Sequence, residues 1–317
     1  MNINTIFLNP YLLFFLGMIL LYWSSEIIIK NSSIISKHFN VSKLLIGVFI
    51  MAFGTSLPEL FVSISAIVNE SNPIVIGNII GSNIANIGLV FGLSIFLKPV
   101  IVDRNKNLYY NLFCLCASSL LFLLFLSNNN LIYSEGIILI FFCMIYLYIL
   151  LKFFKGNDNL TESNNTKYNL ASVFYLLIGF VLIYLGSDLF VNGALGISQR
   201  LGVKDLAVGM TIVSIGTSAP ELFTTVLAIK NNESDLALGN IIGSNIFNIT
   251  LVGGISSLIK NIKIDFFNIS EHSIYFLLLL FLFIFSLFFF EKLNRIIGFL
   301  FISIYLVFIV INFQSNY

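Results

Sequence analysis

The chain has 317 residues, 58% of them hydrophobic and only 10% charged, and a net charge of +1. Its mean hydropathy is +0.99. Soluble domains carry roughly 25% charged residues, so this composition excludes an ordinary soluble protein and implies a polytopic membrane protein. A net charge so close to zero carries no nucleic-acid signal.

A spanning helix needs about 20 apolar residues. Ten such segments are predicted, at residues 11–30, 41–68, 73–97, 107–127, 131–153, 170–199, 203–230, 235–259, 271–290 and 293–313. The second and seventh exceed the length of a span, so they are expected to tilt or bend. The first ten residues hold no Lys or Arg, which argues against a cleaved signal peptide. Cys114, Cys116 and Cys143 fall in the fourth and fifth segments. Residues two apart on a helix do not share a face, so the cysteines read as packing residues, not as a metal site. His38 and His272 fall near predicted helix ends and are expected to be solvated.

Lys155–Asn169, polar and rich in Asn, is the one clear linker. It divides the chain into a first half at 1–154 and a second at 170–317, and it is too short to hold a folded regulatory domain. Five spans per half make the second half enter the bilayer from the opposite side. The expected fold is therefore an all-α polytopic membrane protein with ten transmembrane helices in two inverted-topology five-helix repeats, an arrangement that places binding sites near the midplane. With the N-terminus outside, Arg200, Lys204, Lys260 and Lys263 face outward and the other twelve of the 16 basic residues face inward. The positive-inside rule thus predicts a cell (plasma or inner) membrane protein with both termini outside and the linker cytoplasmic.

The duplication is visible in the residues. Residues 54–90 run from GTSLPELF to GNIIGSNIANIGLV, and residues 216–252 run from GTSAPELF to GNIIGSNIFNITLV. The offset is 162 residues without a gap, and 22 of 37 positions are identical. A repeat of this length means two copies of one structural unit. Tyr22, Ser25 and Glu26 answer to Tyr184, Ser187 and Asp188 at the same offset.

Each copy carries one acid in an apolar helix, Glu59 and Glu221. Carboxylates in lipid are expensive and mark ion or proton pathways. Pro58 and Pro220 cannot donate to the carbonyls of Gly54 and Gly216, so each helix should bend there and the freed oxygens need another partner. Thr55 and Ser56, like Thr217 and Ser218, lie four and three residues before the acid, within reach on one helical face. Ser82 and Asn86, answered by Ser244 and Asn248, add hydroxyl and amide oxygens. The GxxxG pairs Gly77–Gly81 and Gly239–Gly243 permit close helix approach, while Asn78 and Asn83 read as inter-helix hydrogen-bond formers. Carboxylates, hydroxyls and carbonyls are the ligand set of hard cations such as Na⁺ and Ca²⁺. Two negative charges match one Ca²⁺ or two monovalent ions, and two close carboxylates resist joint ionisation. One cation is therefore expected to leave as another arrives. Glu26 and Asp188 read as polar anchors near helix ends, and Glu70 and Asp235 as solvated loop residues, with Glu70 near an outer mouth.

The paired strings GTSxPEL and GNIIGSNI resemble the sodium/calcium exchanger family of the cation/calcium antiporter superfamily, in the prokaryotic form without a large regulatory loop. The resemblance implies two five-helix halves around cation sites alternately open to each side. It also implies exchange of several Na⁺ for each Ca²⁺ with net charge movement. Carried onto this chain, it makes Glu59 and Glu221 the acidic ligands, with oxygens from Thr55, Ser56, Thr217 and Ser218 beside them. Ser82 and Ser244 would complete flanking Na⁺ sites, Asn86 and Asn248 would lie at the centre, and Ala52 and Ser214 would contribute backbone oxygens. Some relatives have Asp where this chain has Asn248, potassium-dependent members in particular, so Asn there argues against potassium dependence. The large cytoplasmic Ca²⁺-sensing insertion of the animal exchangers has no room in the linker.

The leading expectation is a Na⁺/Ca²⁺ antiporter in a lipid bilayer, with no cofactor and no evident protein partner. A Ca²⁺/H⁺ antiporter on the same scaffold is the nearest alternative, because carboxylates bind protons as readily as metals. An intramembrane enzyme using the two glutamates as acid and base lacks any recognisable nucleophile. Two protonated structural acids would not require the same GTSxPE context twice.

Overall fold

The computed structural model describes residues 9–39, 41–153, 170–200, 216–264 and 266–315. The described chain is helical. Helix α1 is Pro10–Phe39, α2 is Lys43–Thr55, α3 Leu57–Val68 and α4 Asn72–Leu97. Helix α5 is Lys106–Leu126, α6 Tyr133–Phe153 and α7 Leu170–Arg200. Helix α8 is Ala219–Lys230, α9 Ser234–Ile259, α10 Phe266–Phe289 and α11 Arg295–Ser315. Among the described residues seven helices are long and apolar enough to span a membrane, or eight if α2 and α3 form one bent span. The apolar part of α11, Arg295–Ile311, is shorter. The first part of the seventh predicted segment falls on residues 201–215, outside the described residues.

The offset of 162 holds well beyond the repeated strings. It carries Leu57–Val68 onto Ala219–Lys230, Asn72–Leu97 onto Ser234–Ile259, and Tyr133–Phe153 onto Arg295–Ser315. It also relates four two-residue strands, β1 (Val100–Ile101), β2 (Asn130–Leu131), β3 (Ile262–Lys263) and β4 (Lys292–Leu293). β1 pairs antiparallel with β4 through Val100 and Leu293, and β2 with β3 through Leu131 and Ile262. Shifting either pairing by the repeat offset generates the other. The flanking bonds obey the same exchange: Val102 N donates to Glu291 O at 2.9 Å and Ile264 N to Asn129 O at 3.0 Å.

The two GNIIGSN helices are central. Their apolar windows are 78% buried in α4 and 83% in α9, against 28–50% for the other five candidate spans. The outer helices turn side chains such as Phe113, Phe141 and Phe281 outward, as a lipid-facing surface requires. Helix α9 lies close against α2, where a Cβ on Gly243 would be 2.7 Å from Ala52 Cβ and 3.0 Å from Val48 Cα. Glycine is needed there for the backbones to approach.

The predicted bend in the second segment is a break of 40° between α2 and α3. Ser56 sits at φ −85°, ψ 3° and Ser218 at φ −83°, ψ 4°, so both repeats break at the same residue. Each proline lies in the first turn of the new helix, where a missing N–H costs nothing. The first predicted segment stopped too early. Helix α1 runs on to Phe39 because Ile35, Ser32 and Ser36 remain buried beyond the purely apolar stretch. Glu26 consequently lies inside α1 and not at its end, and its carboxylate accepts from Asn231 Nδ2 at 3.4 Å. Asp188 likewise lies inside α7. His272 is a correction of the same kind: it lies within α10, its ring 5.7 Å from that of Phe308.

Two lysines tie turns of the opposite repeat. Lys260 Nζ is 2.7 Å from Glu70 Oε1. Lys98 Nζ donates to Lys230 O at 2.9 Å and to Asn232 Oδ1 at 2.7 Å. Lys98 and Lys260 are repeat equivalents, as are Glu70 and Asn232, both at φ 62°.

Candidate functional site

The site is assembled where the broken helices α3 and α8 cross the central helices α4 and α9. Glu59 and Glu221 stand in the first turns of α3 and α8, at 1% and 0% exposure. That placement points each carboxylate toward a break where backbone dipoles and hydroxyls converge.

The hydroxyls of the GTS strings serve the opposite repeat. Ser56 Oγ donates to Glu221 Oε1 at 3.3 Å, and Ser218 Oγ donates to Glu59 Oε1 at 3.5 Å. Thr217 also bonds Glu59, while Ser244 joins Ser56 at Glu221 with Thr55 next to them. Ser244 Oγ lies 3.4 Å from both Glu221 Oε1 and Thr55 Oγ1. Helical spacing placed Thr55 and Ser56 beside their own glutamate. The break at Ser56 turns them away from that face, and the approach of the two repeats brings them to the other acid. Ala52 O accepts from Ser56 N at 3.0 Å and Thr55 Oγ1 at 3.4 Å, so it borders the same group. Ser214 lies outside the described residues.

Asn86 and Asn248 begin wide π-helical segments, Asn86–Phe91 and Asn248–Val252. Such segments occur mostly as local bulges at functional sites. Both asparagines are fully buried, and neither amide nitrogen nor oxygen of either has a hydrogen-bond partner among the described residues. The same holds for Oε2 of Glu59 and of Glu221. A buried polar group without a partner costs about 1–3 kcal/mol, so these groups make a candidate ligand site. Among the described residues no basic side chain pairs with either carboxylate.

The spacing fits a cation. Hydroxyl–carboxylate bonds are usually about 2.5–2.7 Å long, whereas the oxygens here stand 3.3–3.5 Å apart. Oxygens at about 2.4 Å from a central ion in an octahedral shell are roughly 3.4 Å from one another.

Other polar residues support the site from outside. Asn78 Nδ2 donates to Glu59 O at 3.0 Å and Ser63 Oγ at 2.9 Å, an inter-helix brace as its position in the repeat suggested. Ser82 Oγ donates to Asn78 Oδ1 at 3.5 Å, away from Glu59. Asn83 is buried with no amide partner among the described residues, so the expected inter-helix bond is not formed there. Ser187 Oγ donates to Gly216 O at 3.0 Å, which gives a partner to the carbonyl that Pro220 leaves free. Sequence reading noted Ser187 as a repeat match, but nothing in the string indicated which carbonyl it caps. Asn240, Thr224 and Thr225 were also missed: Asn240 Nδ2 donates to Thr224 Oγ1 at 3.1 Å and Thr225 Oγ1 at 3.0 Å. The three cysteines are free thiols.

Comparison with known proteins gives the family. The family model described as sodium/calcium exchanger protein matches residues 9–152 and 171–314. An uncharacterised membrane protein of Methanocaldococcus jannaschii is 38% identical over 300 residues, covering 93% of this chain and 95% of its own. The sodium/calcium exchanger MaX1 of Methanosarcina acetivorans is 31% identical, covering 78% of this chain and 82% of its own. The structure of the sodium-calcium exchanger NCX_Mj soaked with 2.5 mM Na⁺ and 0.1 mM Ca²⁺ superposes with a TM-score of 0.81 at 34% identity, over 95% of this chain and 97% of that one. The chain is an integral membrane transporter, not an enzyme, and it belongs to the sodium/calcium exchanger family.

Proposed function

We propose that the protein is a secondary antiporter that exchanges several Na⁺ for one Ca²⁺ by alternating access, with net charge movement. The observation that carries this reading is the pair of buried carboxylates, one from each repeat, each bonded by a hydroxyl of the other repeat, together with two buried amides that have no partner among the described residues. Glu59 and Glu221 are the charged ligands. Thr55, Ser56, Thr217, Ser218, Ser82, Ser244, Asn86 and Asn248 supply neutral oxygens, and Ala52 and Ser214 backbone oxygens. An empty pair of carboxylates in low dielectric is unfavourable, so release of one ion favours entry of the next.

The reading includes ten spans in two inverted halves, 1–154 and 170–317, joined by a cytoplasmic linker at 155–169. The strand pairs support inversion. β1 follows the third span of its half, β4 the fourth of the other half, and they pair. The two ends of one spanning helix lie on opposite faces of a membrane, so oppositely oriented halves of five spans would bring these two strands to the same face. Lys98 with Asn232 and Lys260 with Glu70 obey the same rule. With the basic-residue bias, both termini face outward and the host is the cell membrane.

Purified protein in proteoliposomes should take up ⁴⁵Ca²⁺ against an outward Na⁺ gradient and generate a potential; uptake indifferent to that gradient refutes the coupling. Exchange of Ca²⁺ for H⁺ is the second reading, favoured by carboxylates that protons can neutralise and by the 36% identity to CaxA of Alkalimonas amylolytica, whose name describes an antiporter without specifying ions. Uptake driven by a pH gradient with Na⁺ absent would decide for it.

A further inference from the structure

A hydroxyl that ligates a cation must give the ion a lone pair and send its proton elsewhere. In a dry interior that destination has to be a fixed acceptor. Thr55 Oγ1 has one outside the ion-facing group: Asn240 Oδ1, 3.3 Å away. Its contact to Ala52 O is longer, at 3.4 Å, and that carbonyl already accepts from Ser56 N at 3.0 Å.

The orientation of the Asn240 amide follows from its other bonds. Thr224 Oγ1 donates its single proton to Pro220 O at 2.7 Å, so toward Asn240 it can only accept. Asn240 Nδ2 therefore faces Thr224 and Thr225, at 3.1 and 3.0 Å. A flipped amide would set its oxygen against the Thr224 oxygen, which could then donate to it only by giving up its 2.7 Å bond to Pro220 O. Oδ1 is thus held toward Thr55, and Asn240 is fully buried.

The first repeat lacks this lock. Val62 stands where the second repeat has Thr224. Asn78 braces Ser63 and Glu59 O instead, and its Oδ1 takes the Ser82 hydroxyl of its own helix.

We propose that Asn240, held by Thr224 and Thr225, is a positioning residue that receives the Thr55 proton and so turns the Thr55 oxygen toward the cation beside Glu221. The proposal rests on the reading of Thr55 as a cation ligand.

The test is Na⁺-gradient-driven ⁴⁵Ca²⁺ flux in proteoliposomes, read as half-saturating ion concentration and maximal rate separately. Asn240→Leu should raise the half-saturating concentration about tenfold, and Thr224→Val about threefold, as expected for loss of one or part of one buried hydrogen bond. Thr224→Ser, which keeps the hydroxyl, should return to within about twofold of the parent. Should Asn240→Leu fail to fold, the Thr224 pair carries the test. A lower maximal rate with unmoved half-saturation in Thr224→Val, or a Thr224→Ser that behaves like the valine variant, overturns the proposal. Thr55→Val separates the two levels. If it impairs binding while the Asn240 and Thr224 variants do not, only the positioning role falls; if it is silent, the ligand role of Thr55 falls and this proposal with it.

Discussion

The two repeats share GTSxPEL and GNIIGSN, yet their hydrogen bonds differ. In the second repeat Ser244 turns to Glu221, Ser187 caps Gly216 O, and Thr224 locks Asn240. In the first, the equivalent Ser82 turns to Asn78, Ser25 donates to Leu21 O within its own helix, and Val62 replaces Thr224. Glu221 therefore accepts from serines of both repeats, Ser56 and Ser244, whereas Glu59 accepts from Ser218 of the other repeat. A hydroxyl in a helix can bond its own preceding turn or reach across, and neighbouring residues decide between these. Equal strings thus supply equal side chains but unequal hydrogen-bond surroundings.

The largest expected effect tests whether the acids are equivalent despite this. Glu59→Gln and Glu221→Gln should each reduce ⁴⁵Ca²⁺ exchange by more than about a hundredfold, because each removes half of the neutralising charge from a buried site. Normal exchange in either variant would break the equivalence and remove that residue from the ligand set.

A smaller effect sharpens the contrast between the serines. Ser244→Ala should raise the half-saturating Ca²⁺ concentration by about tenfold and Ser82→Ala by about threefold, since only Ser244 bonds a carboxylate here. Equal shifts would mean that the arrangement around Ser82 is merely one of two alternatives.

Next come the carbonyl caps. Ser187→Ala leaves Gly216 O without its hydroxyl partner and should cost about 1–2 kcal/mol in thermal unfolding of the detergent-solubilised protein. Ser25→Ala removes only a second bond to a carbonyl in a continuous helix and should cost less. The reverse ranking would show that the Pro220 carbonyl finds another partner.

The smallest effect concerns the lysine ties. Hydrogen bonding and attraction by Lys260 hold the Glu70 carboxyl below its ordinary range. The contribution of this tie is complete above the ordinary carboxylate pKa and disappears as pH falls through the lowered value. The Lys98 tie to a carbonyl and an amide has no such dependence in that window. Glu70→Gln should therefore be mild at neutral pH, and its stability should converge with the parent in acid. A difference that persists unchanged at low pH would exclude the ion pair as its source.

Much of this was legible in the residues. Hydropathy alone marks the membrane class, since so few charges cannot cover a soluble surface. The repeat of Glu59 and Glu221 in one context marks the acids, and the proline four residues after Gly54 and Gly216 marks the breaks. The end of α1 was less legible, because Ser32 and Ser36 look polar in sequence yet lie buried. The crossing of the hydroxyls to the opposite acid was not legible at all. Helical spacing describes neighbours within one helix, and the relevant neighbours are 159 and 165 positions apart.

By itself, then, the amino-acid string determined that the chain is a duplicated membrane protein, which groups could hold a cation, and where its helices must break. Those properties follow from local chemistry: transfer free energy, the missing proline N–H and the composition of a ligand set. Only the tertiary structure decided that each carboxylate is served by the other repeat, that the buried amides of Asn86 and Asn248 have no partner among the described residues, and that Ser187 and Asn240 support one half. These depend on how two separately encoded units dock, and the direction of a short side chain is settled by what the other unit presents to it.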